Sequence, residues 1–229
     1  MNEFLAILVH ELRNALAPVA NALLILRLSQ ETDSPVSSKA RGLIERQVGH
    51  MSRLLDDLQE ISRIEMGQLR FRPGLVDLRE VVKTSVEAVM STHAHHKHQV
   101  SVTLPADPIW LDADAIRMEQ VVVNLLSNAA NYTQEGGSIA IVAARAQDRA
   151  ELRVADSGIG IAPELLPHIF DLFVRSEAAR EHSRQGLGIG LNIVKRIVDL
   201  HGGSVEARSA GPGAGSEFVV SLPLVTSAA

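Results

Sequence analysis

Phe4-Leu-Ala-Ile-Leu-Val-His10-Glu11-Leu-Arg13-Asn14-Ala-Leu-Ala-Pro18 is the stretch whose reading decides the fold. At 100° per residue, Leu5, Val9, Leu12, Leu16, Val19, Leu23 and Leu26 gather in one stripe of a helix. They recur in alternating steps of three and four, the seam of a helix bundle. His10 falls on the opposite face, Asn14 lies one turn along it, and Glu11 sits at its edge beside the imidazole. A histidine turned to water with a carboxylate beside it has the makings of a nucleophile. The carboxylate orients one ring nitrogen and favours proton loss, leaving the other nitrogen free to attack. Taken alone, an exposed helix histidine is usually just a solvated polar residue. The rest of the chain gives this one its weight.

Working outward, the pattern predicts a first helix over about residues 2–29, bent at Pro18. A turn follows around Asp33-Ser-Pro35, with Ser37 and Ser38 available to cap the next helix. That second helix is expected over about 38–66, on Ile44, Val48, Met51, Leu55, Leu58 and Ile61. Two long helices joined by a short turn cannot bury both stripes alone, and pairing with a second copy completes a four-helix bundle. At about 1.5–3 kcal/mol gross per buried aliphatic side chain, the first stripe alone is worth roughly 10–20 kcal/mol before entropy is subtracted. Residues 1–66 therefore read as a dimerising hairpin, and 67–76 (Gly67 through Gly74 at its centre) as a linker. Residues 77–225 read as a second domain in which the pattern changes to alternation. Helices are expected over about 77–93, 113–132 and 188–201. Strands are expected near 99–104, 109–111, 138–146 and 151–155, with a closing hairpin of 203–209 and 215–222. The fold class is α+β: a helical hairpin, then one mixed sheet covered by helices on one face.

Composition narrows the function classes. The chain has 229 residues, 46% hydrophobic and 21% charged, an ordinary globular profile. A net charge of −5 without a dense basic patch argues against nucleic acid as a partner. With no cysteine, disulfides and thiolate metal sites are excluded, which suits a reducing cytosol. The longest apolar run, Val19 to Leu26 apart from Asn21, falls well short of the roughly 20 residues of a membrane span. A basic start followed by a small-residue cleavage site is also missing. The expectation is a cytoplasmic protein, either whole or as the cytoplasmic core of a larger one.

Four elements of the second domain converge on nucleotide chemistry. Asn124 and Asn128 share a helix face, with Asn131 a turn further on and Tyr132 beside it. Their amide oxygens suit a hard cation such as Mg²⁺. Asp156-Ser-Gly158-Ile-Gly160 ends a strand; its glycines allow close backbone approach, and its carboxylate can accept from an exocyclic amine such as adenine's. Gly186-Leu187-Gly188-Ile-Gly190 opens a helix whose free N–H groups suit phosphate. Gly213-Ala-Gly215-Ser216 turns into the last strand. Each element alone also fits a bland reading: a solvated helix face, a strand-ending turn, a glycine-rich connection. The run His93-Ala-His95-His96-Lys-His98 invites a metal reading, but with no carboxylate or second cluster nearby it reads better as a solvated turn.

Their order is what is specific. His10-Glu11-x-x-Asn14, the asparagine motif, Asp-x-Gly-x-Gly, Phe170-x-x-Phe173, Gly-x-Gly-x-Gly and the final glycine motif together resemble the sensor histidine kinases of two-component signalling. The likeness runs from Phe4 to Pro223, over a dimerisation and phosphoacceptor domain and a GHKL-type ATP-binding domain. It implies that His10 takes the γ-phosphoryl group of ATP, that Glu11 is its general base, and that Asn14 positions water in a phosphatase reaction on the partner. It implies that Asn128 ligates Mg²⁺ with Asn124 in support, that Tyr132 stacks near adenine and that Asp156 reads the adenine amine. Gly158, Gly160, Gly186, Leu187, Gly188, Gly190 and Ser216 would shape the ATP pocket, with Arg175 in a lid running to Gln185. The implied partners are a second copy and the receiver domain of a response regulator. Two positions depart from the family: Asn131 stands where Lys or Arg is usual, and Ala15 where proline is common. Arg175, Arg180 or Arg184 could stand in for the missing cation.

Two alternatives stand beside this. A GHKL ATPase akin to DNA gyrase would carry a hydrolytic glutamate four residues before Asn128, where this chain has Asn124. A catalytically weak scaffold, or a protein working mainly as a phosphatase, is kept alive by Asn131.

Overall fold

The computed structural model describes residues 16–27, 34–65, 71–92, 97–174 and 188–225. Its described residues divide into two compact units, 16–65 in the first and 71–225 in the second.

In the first unit, residues 16–27 (α1) and Pro35–Glu65 (α2) are helical. The second helix begins earlier than the serine pair suggested. Ser34 is its cap: the Ser34 Oγ accepts from the Ser37 N–H at 3.1 Å, and Pro35, which lacks the donor a first-turn residue wastes anyway, takes the first position. Of the seam residues, Leu16, Leu23, Val48 and Leu55 are exposed in the single chain.

The second unit holds β1 (Gly74–Asp77), α3 (Leu78–Thr92), β2 (Gln99–Thr103), β3 (Trp110–Ala113), α4 (Ala115–Tyr132), β4 (Ser138–Ala146), β5 (Arg149–Asp156), α5 (Gly190–Leu200), β6 (Ser204–Arg208) and β7 (Ser216–Pro223). Five strands form one sheet in the order β2-β4-β5-β7-β6, parallel at β2–β4 and antiparallel elsewhere. Alternation sets the layers: Ile139, Ile141 and Ala143 of β4, Leu152 and Val154 of β5, and Phe218, Val220 and Leu222 of β7 are buried. The apolar faces of α3, α4 and α5 (Val82, Leu125, Leu126, Ile193 and Ile197 among them) supply the other half of the core.

Two expectations are corrected here. Residues 74–76, read as linker, belong to β1, and the strand near 109–111 is not part of the main sheet. It is β3, and it pairs antiparallel with β1 in a separate two-stranded sheet, Val76 opposite Leu111. Four-residue strands leave almost no periodicity to read, and their pairing spans a long sequence separation. Asp77 closes the β1–α3 corner, where its Oδ1 accepts from the N–H groups of Arg79 and Ile109, both at 3.1 Å. Burial works against its charge, but these bonds and the Arg79 guanidinium, 2.7 Å from Oδ2, outweigh it and hold the carboxyl below its usual range.

Candidate functional site

α4 is set by its cap and its stripe. Asp114 accepts from the N–H groups of Ile116 (3.1 Å) and Arg117 (3.3 Å), and Val121, Val122, Leu125, Leu126 and Ala129 are buried. That leaves Asn124, Asn128, Asn131 and Tyr132 on the half-buried face. The Asn124 amide nitrogen donates to the Gly190 carbonyl at 3.3 Å, so its oxygen stays available as an acceptor while α4 is tied to the opening of α5.

Asp156 sits at the end of β5, opposite Ser216 at the start of β7. The Ser216 hydroxyl donates to Oδ2 at 2.5 Å and the Gly158 N–H to Oδ1 at 2.8 Å. Burial pushes the Asp156 carboxyl up, and these hydrogen bonds offset only part of that push. Two donors leave acceptor capacity on both oxygens. The backbone after Asp156 then runs close against α4: the Ile159 N–H donates to the Tyr132 carbonyl at 3.1 Å, and a Cβ on Gly158 would collide with that same oxygen. Gly160 turns at a φ of +69°, where a side chain would strike the Gly211 carbonyl. The structure therefore brings together the asparagine face, the Asp-x-Gly-x-Gly turn, Gly190 and Ser216.

Gly188 is not helical as the sequence suggested. Its φ of +73° lies in the left-handed region, so α5 starts two residues later, at Gly190. Its carbonyl accepts from the Phe173 N–H at 3.1 Å. His10, Glu11, Asn14, Arg175, Gly186 and Leu187 lie outside the described residues, as do His93, His95 and His96 of the histidine run.

A family model described as "Histidine kinase-, DNA gyrase B-, and HSP90-like ATPase" matches residues 113–226, and one described as "His Kinase A (phospho-acceptor) domain" matches residues 1–67. The solved structure of the mycobacterial sensor histidine kinase MprB is similar with a TM-score of 0.60 and 32% identity, over 66% of this chain and 98% of that one. The chain belongs to the sensor histidine kinases. It is 36% identical to the sensor histidine kinase TrcS of Mycobacterium tuberculosis over 98% of this chain, and spans only 44% of that relative's length. It resembles full-length ShkA in complex with AMPPNP with a TM-score of 0.69 and 29% identity, covering 99% of this chain and 47% of that one.

In this sensor histidine kinase the structure adds two residues that the sequence reading missed. The Ser209 hydroxyl takes the N–H of Ile161 (3.0 Å) and donates to the Gly215 carbonyl (2.7 Å), tying the Asp-x-Gly-x-Gly turn to the final glycine turn. The Asn192 amide donates to the Phe170 carbonyl at 2.9 Å, so α5 holds the phenylalanine motif, whose Phe170 ring packs edge-on against Phe218. Neither belongs to a spacing motif. A serine two residues before a glycine turn and a polar residue in a first helical turn are too common to stand out.

Proposed function

We propose that this chain phosphorylates His10 with the γ-phosphoryl group of ATP and passes it to an aspartate on the receiver domain of a response regulator. Glu11 takes the proton from His10 as a ring nitrogen attacks phosphorus and ADP leaves. The observation that carries the nucleotide half is the meeting of the α4 asparagine face with the Asp156–Ser216 pair across the Gly158–Tyr132 contact. Asp156 accepts from the adenine amine, Tyr132 stacks near the ring, and Gly186, Leu187, Gly188 and Gly190 offer backbone to the phosphates, with Arg175 over them. The donor set suits Mg²⁺: Asn128 holds it and Asn124, already oriented by Gly190, supports it through neutral amide oxygens. When bound, that ion draws charge from the phosphate oxygens. ShkA in complex with AMPPNP, an ATP analogue, supports the same nucleotide for this chain.

The exposed Leu16, Leu23, Val48 and Leu55 support a homodimer through residues 1–66, with the catalytic domain running from β1 at Gly74 to residue 225. No described helix is long and apolar enough to cross a membrane. We place the reaction in the cytoplasm, where ATP and receiver domains are found. Asn131 in place of a cation favours a second reading, in which Glu11 and Asn14 act mainly in dephosphorylating the regulator.

Incubation with γ-labelled ATP and Mg²⁺ separates the two. Acid-labile, base-stable label that disappears in His10→Gln and Asn128→Ala supports the kinase. Bound nucleotide without label, together with accelerated loss of phosphate from a regulator, supports the phosphatase.

A further inference from the structure

We propose that Phe71, Asp114 and His201 anchor the incoming chain to the catalytic unit and act as positioning residues for phosphoryl transfer. The proposal rests on the kinase reading above.

Asp114 and His201 are both buried and far apart in sequence. The His201 Nε2 accepts from the Asp114 N–H at 3.0 Å, and its Nδ1 faces the Ile197 carbonyl at 2.7 Å, so both ring nitrogens are engaged. Asp114 uses Oδ1 to cap α4 and Oδ2 to accept from the Arg72 N–H at 2.9 Å. The Phe71 ring stands edge-on against the His201 ring, centroids 4.7 Å apart. Residues 71 and 72 are thus held by one ring contact and one charge-assisted hydrogen bond before β1 begins at Gly74.

What the anchor grips gives it a role. Asp114 precedes α4, ten residues before Asn124, or about 15 Å along the helix. His201 follows α5, eleven residues after Gly190, or about 16 Å. Between them, the Asn124–Gly190 hydrogen bond ties the middle of α4 to the start of α5. The chain arriving from α2 is therefore fastened to the far ends of the two helices whose near ends carry the amides and glycines of the nucleotide site.

Five residues, 66–70, separate α2 from Phe71. Loss of the anchor removes a fixed starting point for the catalytic unit and so costs orientation of the reacting groups. The expected effect is about a three- to tenfold slower transfer to His10.

The test uses the full chain with Phe71→Ala, which removes the ring and no hydrogen bond, and Phe71→Tyr, which restores the ring. Label on His10 is timed at saturating ATP and Mg²⁺, and AMPPNP affinity is measured by titration. Slower labelling in Phe71→Ala with KM and AMPPNP affinity within about twofold of the parent, and recovery in Phe71→Tyr, is the result expected. Unchanged labelling in Phe71→Ala overturns the anchor alone, as does a parallel loss of labelling and affinity. A parent chain that takes no label overturns the kinase reading and the anchor with it.

Discussion

Replacing Asp156 with Asn separates what this carboxylate does for the fold from what it does for the ligand. In the fold it accepts from the Gly158 N–H at 2.8 Å and from the Ser216 hydroxyl at 2.5 Å. An asparagine can keep both: its oxygen takes the glycine N–H and its NH₂ donates to the serine hydroxyl, which accepts as readily as it donates. That arrangement offers the adenine amine only the spare lone pair of a neutral amide oxygen in place of a carboxylate. A hydrogen bond to a charged group is worth about 1.5–3 kcal/mol, so ATP affinity should fall roughly ten- to hundredfold. Stability should move the other way. Burial raises the Asp156 carboxyl, so the stability it contributes is present below the ordinary carboxylate range and is lost as pH rises through the raised value. Asp156→Asn lacks that loss and should unfold at the same temperature as the parent or higher at neutral pH. Affinity in the parent should decline on acidification at a higher pH than an ordinary aspartate would give, while the variant stays flat. Calorimetric titration with ADP and GDP across pH, beside thermal unfolding, measures all three. A variant that still prefers adenine over guanine with unchanged affinity would refute the reasoning.

Gly158→Ala drives a methyl group into the Tyr132 carbonyl, and backbone on both sides must move. The expected cost is about 1–3 kcal/mol, with nucleotide binding lost in the same titration. Asp77→Asn removes a carboxyl held below its usual range. The parent's stability from this group is present above the ordinary value and lost as pH falls through the depressed one. The variant should be about 1–2 kcal/mol less stable to denaturant at neutral pH and lack that part of the acid limb. Asn131→Lys restores the family's cation and should tighten ATP binding about three- to tenfold, read by titration. No gain would mean that charge at position 131 is not what limits affinity.

Much of the site could be read from sequence because its residues sit on regular elements. Asn124, Asn128 and Asn131 recur at helical spacing against a buried stripe, so their shared face followed from period alone. Asp156 closed an alternating strand, and glycines flagged the turn after it. What could not be read was which turns meet: that Ser216 reaches Asp156, that Ser209 joins two glycine turns, or that Asn124 bonds to Gly190. These contacts cross 60, 48 and 66 residues, and no periodicity encodes them. The same limit hid β1, whose four residues gain strand character only by pairing with β3.

By itself the sequence determined the local order: two seamed helices, then a strand-and-helix unit with asparagine and glycine motifs in a particular succession. Hydrophobic period, caps and glycine φ freedom act over a few residues, so a linear reading captures them. Tertiary structure alone decided which elements meet. It made the Asp156 carboxyl a half-buried acceptor held by Ser216, rather than a solvated strand end. It also made His201, an unremarkable residue at a helix end, the link between Phe71 and Asp114. Burial and hydrogen bonding between distant segments exist only once the chain has closed on itself, and both the acidity of Asp156 and the fastening of the linker depend on them.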